Sequence, residues 1–189
     1  MLGVLFAVLA AACGLTIARA LRVPLSVAPV GGLATMAVLS VWCTAVGLPP
    51  LLRSGVVVLV ALVGLAAGLT PSRGLLASAR AHRAPLLVLA AAVATPALML
   101  GGVFAGIEAP VSIHDGAFHV EAIDNLRRGA AVQTWYPVGF HTSVAAVLGL
   151  APWVDTARGT AEVAQGLAIL APLAVFSLGL ALALDVLAA

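Results

Sequence analysis

Residues 1–22 read MLGVLFAVLAAACGLTIARALR: eighteen residues without a charged side chain, closed by Arg19 and Arg22. As a helix such a run is about 27 Å long, close to the ~30 Å hydrocarbon core of a bilayer. No Lys or Arg precedes the apolar residues, so the run reads as a retained first membrane helix and not as a secretory signal. Leu9-Ala10-Ala11-Ala12-Cys13 glances at a lipoprotein cleavage box, but Leu9 stands one place too far from the cysteine.

Working outward, the same test finds further runs at 25–46, 55–69, 85–104, 138–154 (short) and 163–184, bounded by Arg, Pro or polar clusters. The whole chain agrees with them. It is 63% hydrophobic and 8% charged, with a mean hydropathy of +1.19, where soluble domains are about half apolar and a quarter charged. Too little polar surface remains to solvate a globule, which excludes an ordinary cytosolic enzyme. A net charge of +2, from arginines scattered between apolar runs, excludes a nucleic-acid binder. The expected fold is all-α: a polytopic transmembrane bundle of about six helices with an interfacial helix in a long outer loop. Its parts are four helices in 1–104, the outer loop at 105–137 and two further helices in 138–189. Cys13 and Cys43 lie inside apolar runs and read as inert buried thiols.

Short positive loops stay cytoplasmic. With the first loop inside, the inner loops carry Arg19, Arg22, Arg73, Arg80, Arg83 and Arg158, and the outer ones Arg53, Arg127 and Arg128. The expected orientation therefore places the N-terminus and the 105–137 loop outside. The absence of Lys and the wealth of Ala, Val, Leu and Arg suit a bacterial plasma membrane.

The chemistry gathers in the outer loop. Glu108, His114, Asp115, His119, Glu121 and Asp124 fall within it, with Arg127 and Arg128 behind them. Asp115 has N-cap chemistry and Gly129 suits a helix stop, which predicts one helix of about fourteen residues between them. Such a helix makes Asp124 and Arg128 an i, i+4 pair and sets Glu121, Asn125 and Arg128 along one wet stripe. Val120 and Ile123 are expected against the headgroups. Trp135 and Tyr136 follow at the re-entry into lipid, where aromatic anchors are expected. His141, just inside an apolar run, is a costly placement that marks a site. His82 and His114 read as solvated loop residues.

Two motifs, Asp115-Gly116-Ala117-Phe118-His119 and Tyr136-Pro137-Val138-Gly139-Phe140-His141, resemble the outer-face loop of GT-C-type membrane glycosyltransferases. The nearest pattern is that of uncharacterised bacterial members with D-x-x-F-H followed by Y-P-x-G-x-H. The resemblance covers about residues 113–150. It implies an enzyme that passes a sugar from a polyprenyl-phosphate carrier to an acceptor at the outer face, with a loop Asp as the acid/base or metal-positioning residue. That role maps onto Asp115. Members are typically far longer, and their acidic loop commonly follows the first helix and not the fourth. The apolar end of this chain accordingly reads as the start of a longer protein or as a decayed copy, with partner subunits or missing helices to complete it.

The residue chemistry supports such roles. Asp115 suits a base and His119 its catalytic partner; Arg127 and Arg128 suit bidentate contact with the departing phosphate. His119 and His141 are of a type to orient Asp115, bind phosphate or join a divalent metal with it, and the sequence settles no metal. Tyr136 and Glu108 complete the candidate substrate contacts. The competing readings are plainer: a helix cap for Asp115, and lipid-phosphate anchoring for Arg127 and Arg128. Two other classes stay open. A small transporter or channel subunit requires ionisable groups near mid-bilayer, and a membrane scaffold requires small-residue helix contacts such as Gly64-Leu65-Ala66-Ala67-Gly68.

Overall fold

Helix ends in this chain follow local chemistry. In the computed structural model the described residues are 2–23, 27–68, 94, 115–132 and 138–188; for Asp115, Ile169 and 176–188 the backbone alone is described. They form α1 (Leu2–Ala20), α2 (Ala28–Ala45), α3 (Pro50–Gly68), α4 (Asp115–Arg127), α5 (Gly139–Leu148) and α6 (Thr156–Ala188). The expected crossing at 85–104 lies outside the described residues, as do Glu108, Tyr136, Trp135, His82 and His114.

Three helices stop in the same way, on a residue of positive φ whose own N–H and whose successor's N–H both turn back to the last turn. After α1 this is Arg22, after α2 Gly47, and after α4 the expected Gly129. Pro50 opens α3, where a missing N–H costs little. The third helix therefore begins five residues ahead of the expected position 55 and takes Arg53 into its first turn.

α1, α2 and α3 are each long and apolar enough to cross a membrane. α1 is the hub, packing against α2, α3 and α6. The packing depends on absent side chains. A methyl on Gly14 would overlap the Ala28 carbonyl, one on Gly32 the Ala10 carbonyl, and one on Gly64 the Ala12 carbonyl. Gly3 and Gly166 do the same for α1 and α6. Backbones this close gain dispersion contact that lipid tails cannot match. Gly64 and Gly68 both face α1, so the small-residue spacing noted in the sequence is a helix contact.

Close approach also brings Thr16 Oγ1 to donate to the Val60 carbonyl at 2.9 Å, and the Cys13 thiol to lie 3.7 Å from the Val57 carbonyl. Matched neighbours give the directions. Leu2 meets Glu162, Cys13 meets Val57 and Thr16 meets Val60, so α1, α3 and α6 run parallel. α2 runs against them. One end of the bundle, here the Pro50 end, thus holds the starts of α1, α3 and α6 and the turn between α2 and α3.

α5 departs from the expected crossing at 138–154. It has ten residues, about 15 Å, half of a hydrocarbon core. Every residue from His141 to Leu148 is buried, and α5 touches all five other helices. A mostly apolar helix is buried by protein as readily as by lipid, which apolarity alone does not reveal.

α4 lies along α5 and parallel to it. Ala122, Ile123 and Leu126 are buried there, Ile123 completely. This corrects the expectation that Ile123 rests on headgroups. Val120 is half-buried, and Glu121 and Arg128 are exposed, as the wet stripe requires.

Arg158 is also corrected. Arg127 of α4 reaches the turn before α6, so Arg158 stands at the same end as Arg53, Arg127 and Arg128, not opposite them. Among the described arginines, Arg19 and Arg22 stand at one end and Arg53, Arg127, Arg128 and Arg158 at the other. Arg73, Arg80 and Arg83, on which the expected majority depends, lie outside the described residues.

Candidate functional site

α4 and α5 both begin midway along the bundle, and each carries Phe-His in its opening turns. The two dipeptides meet. His119 Nδ1 and His141 Nε2 stand 2.7 Å apart, a hydrogen bond whose donor depends on the tautomers. The rings are tilted, with centroids 4.9 Å apart. Phe118 presents its ring edge-on to both imidazoles, at 5.8 and 6.2 Å, and Phe140 does so at 6.2 and 5.7 Å. Four rings from two helices form one cluster, and such edge-to-face contacts each add about 0.5–1.5 kcal/mol beyond burial.

The depth of the pair follows from helix counting. A Cβ on Gly139 would lie 3.3 Å from the Ala37 side chain, at the middle of α2. Eight residues separate Ala37 from the end of α2 at Ala45, and eight separate His119 from Arg127. By either helix the pair is about 12 Å inside the Pro50 end. His141 is 1% exposed. Beside it the buried hydroxyls of Thr142 and Ser143 donate to carbonyls of their own helix, at 3.0 and 2.7 Å.

Asp115 opens α4 one turn before His119, as expected, and its side chain is outside the description. Among the described residues no three His, Cys, Asp or Glu side chains converge.

Arg127 and Arg128 are not brought to the pair. Arg127 Nη1 donates to the Val154 carbonyl at 3.1 Å and to Thr156 Oγ1 at 2.7 Å, and Nη2 donates to the Pro152 carbonyl at 3.2 Å. Thr156 Oγ1 donates in turn to Asp124 at 2.9 Å. The expected pair of Asp124 with Arg128 forms at 2.6 Å. These groups line an open groove of about 460 Å³ at the Pro50 end, together with Trp153. Arg127 thus ties α4 to the turn that starts α6. Arg127→Lys, which keeps the charge and loses the planar fork, is expected to cost about 1–2 kcal/mol. Thermal unfolding in mild detergent and faster proteolysis at residues 152–156 check this.

Sequence reasoning passed over Arg53, taking it for a loop charge. It is buried at 8% exposure, and its guanidinium donates to the Leu48 carbonyl at 2.6 Å and the Leu126 carbonyl at 3.4 Å. It joins the turn that follows α2 to the last turn of α4, where a cation is favoured. Pro49-Pro50 just ahead of it was the available signal. The repeated Phe-His dipeptide was likewise visible, but nothing in a linear chain says that the two copies touch.

No family model matches this chain, and neither a curated protein nor a solved structure matches it.

Proposed function

We propose that the chain is a membrane glycosyltransferase-like protein of a bacterial plasma membrane, taking a sugar from a polyprenyl-phosphate carrier at the outer face. In this reading the N-terminus and the Pro50 end face outward. The observation that carries it is the 2.7 Å contact of His119 with His141, because it joins the two motif segments on which the resemblance rests. Asp115 is assigned as the base that takes the acceptor's proton. His119 is the catalytic partner that orients it, and His141 contacts the donor. Arg128, exposed at the Pro50 end, meets the carrier's phosphate as it arrives.

The test is binding and transfer of a radiolabelled polyprenyl-phosphate sugar by the chain in lipid nanodiscs. Wild type is expected to bind saturably, His141→Ala to bind more weakly, and Asp115→Asn to bind but to lose transfer by at least ~10²-fold. Absence of saturable binding in wild type refutes the reading.

One observation favours a second reading, a transporter or channel subunit. The imidazole pair lies at mid-height of the bundle, where such a path requires ionisable groups. Proton flux into liposomes that His119→Phe abolishes is the result that would favour it.

A further inference from the structure

At one height around the bundle the exposed side chains change character. Val38 on α2 is 56% exposed, and Leu59 on α3 is 62% exposed. Glu121 on α4 is exposed at the same height. Counting from the Pro50 end, Val38 and Leu59 lie about 10 to 13 Å deep and Glu121 about 9 Å deep. The apolar residues suit lipid. α2 itself, at eighteen residues, matches a hydrocarbon core about 27 Å thick. An exposed carboxylate at that depth is costly against acyl chains, and α4 as a whole is far more polar than the three long helices.

Further along the same face, Asn125 is half-buried and Arg128 exposed, so polar groups run from Glu121 to the bundle's end without a break. Trp153, 77% exposed, and Trp42, 66% exposed, stand at that end, as expected of a headgroup layer.

We infer that the outer face of α4 lines a water-filled vestibule, entered at the Pro50 end and reaching the level of the His119–His141 pair. On the α2 and α3 sides the same height is packed in lipid. The vestibule admits the polar part of an amphiphile whose tail stays in the bilayer. It thereby deepens the donor reading and rests on it for the ligand's identity, while the water path itself is independent of that identity.

Thiol labelling separates the two. Cys13 and Cys43, both buried, are replaced by Ala. Single cysteines are then placed by Glu121→Cys, Arg128→Cys and Val38→Cys in the full chain in nanodiscs, and each is treated with a membrane-impermeant methanethiosulfonate. The expected result is that Glu121→Cys reacts within about 10-fold of the rate of Arg128→Cys, and Val38→Cys at least 100-fold more slowly than either. A Glu121→Cys rate as low as that of Val38→Cys overturns the vestibule. Equal, fast rates at all three sites overturn the lipid-packed side, and with it the half-depth path. Labelling as expected without sugar-donor binding keeps the vestibule and removes the donor.

Discussion

Gly32→Ala is expected to cost about 3 kcal/mol, at the upper end of overpacking, whereas Gly31→Ala, its immediate neighbour, is neutral or gains a few tenths of a kcal/mol. The two glycines share a helix and differ in what a methyl would meet. At Gly32 it meets the carbonyl of Ala10, a backbone atom that cannot rotate away; at Gly31 there is open space. The closest part of the α1–α2 contact must therefore separate for one substitution and not for the other. Thermal unfolding in mild detergent, followed by helical circular dichroism, measures both. Equal midpoints for the two variants would show that α1 and α2 do not pack through their backbones at this point.

His119→Ala and His141→Ala are each expected to cost about 2 kcal/mol, through a lost buried hydrogen bond and lost ring packing. The double variant is expected to fall short of the summed costs by about 1 kcal/mol, since the second substitution has no shared contact left to remove. The full cycle is required because each imidazole also packs on Phe118 and Phe140. Additive costs would mean that the 2.7 Å contact does not form in solution, and the joining of the two motifs would fail with it.

Much of the local structure was legible from the chain. Arg19 and Arg22 closed the first helix, Gly129 stopped α4, and Asp124 and Arg128 paired, because each depends on residues within a turn or two. The site was legible in its residue types and in one relation, Asp115 one turn before His119. Its other relation was not. His119 and His141 are 22 residues apart, and they meet only because α4 packs along α5, whose burial no local pattern announces. Arg127 shows the same gap: its residue type suits a phosphate, yet its guanidinium is spent on three acceptors 25 to 29 residues away.

The chain by itself determined that this protein is all helix, with long runs apolar enough for lipid, since composition and run length act residue by residue and need no partner. Tertiary structure alone decided which apolar run is enclosed by protein, which end carries Arg158, and that two Phe-His dipeptides share one cluster. The physical reason is that apolarity states only what a helix avoids. Which neighbour replaces water is chosen by close packing at glycines such as Gly14, Gly32 and Gly64, through contacts between residues far apart in sequence.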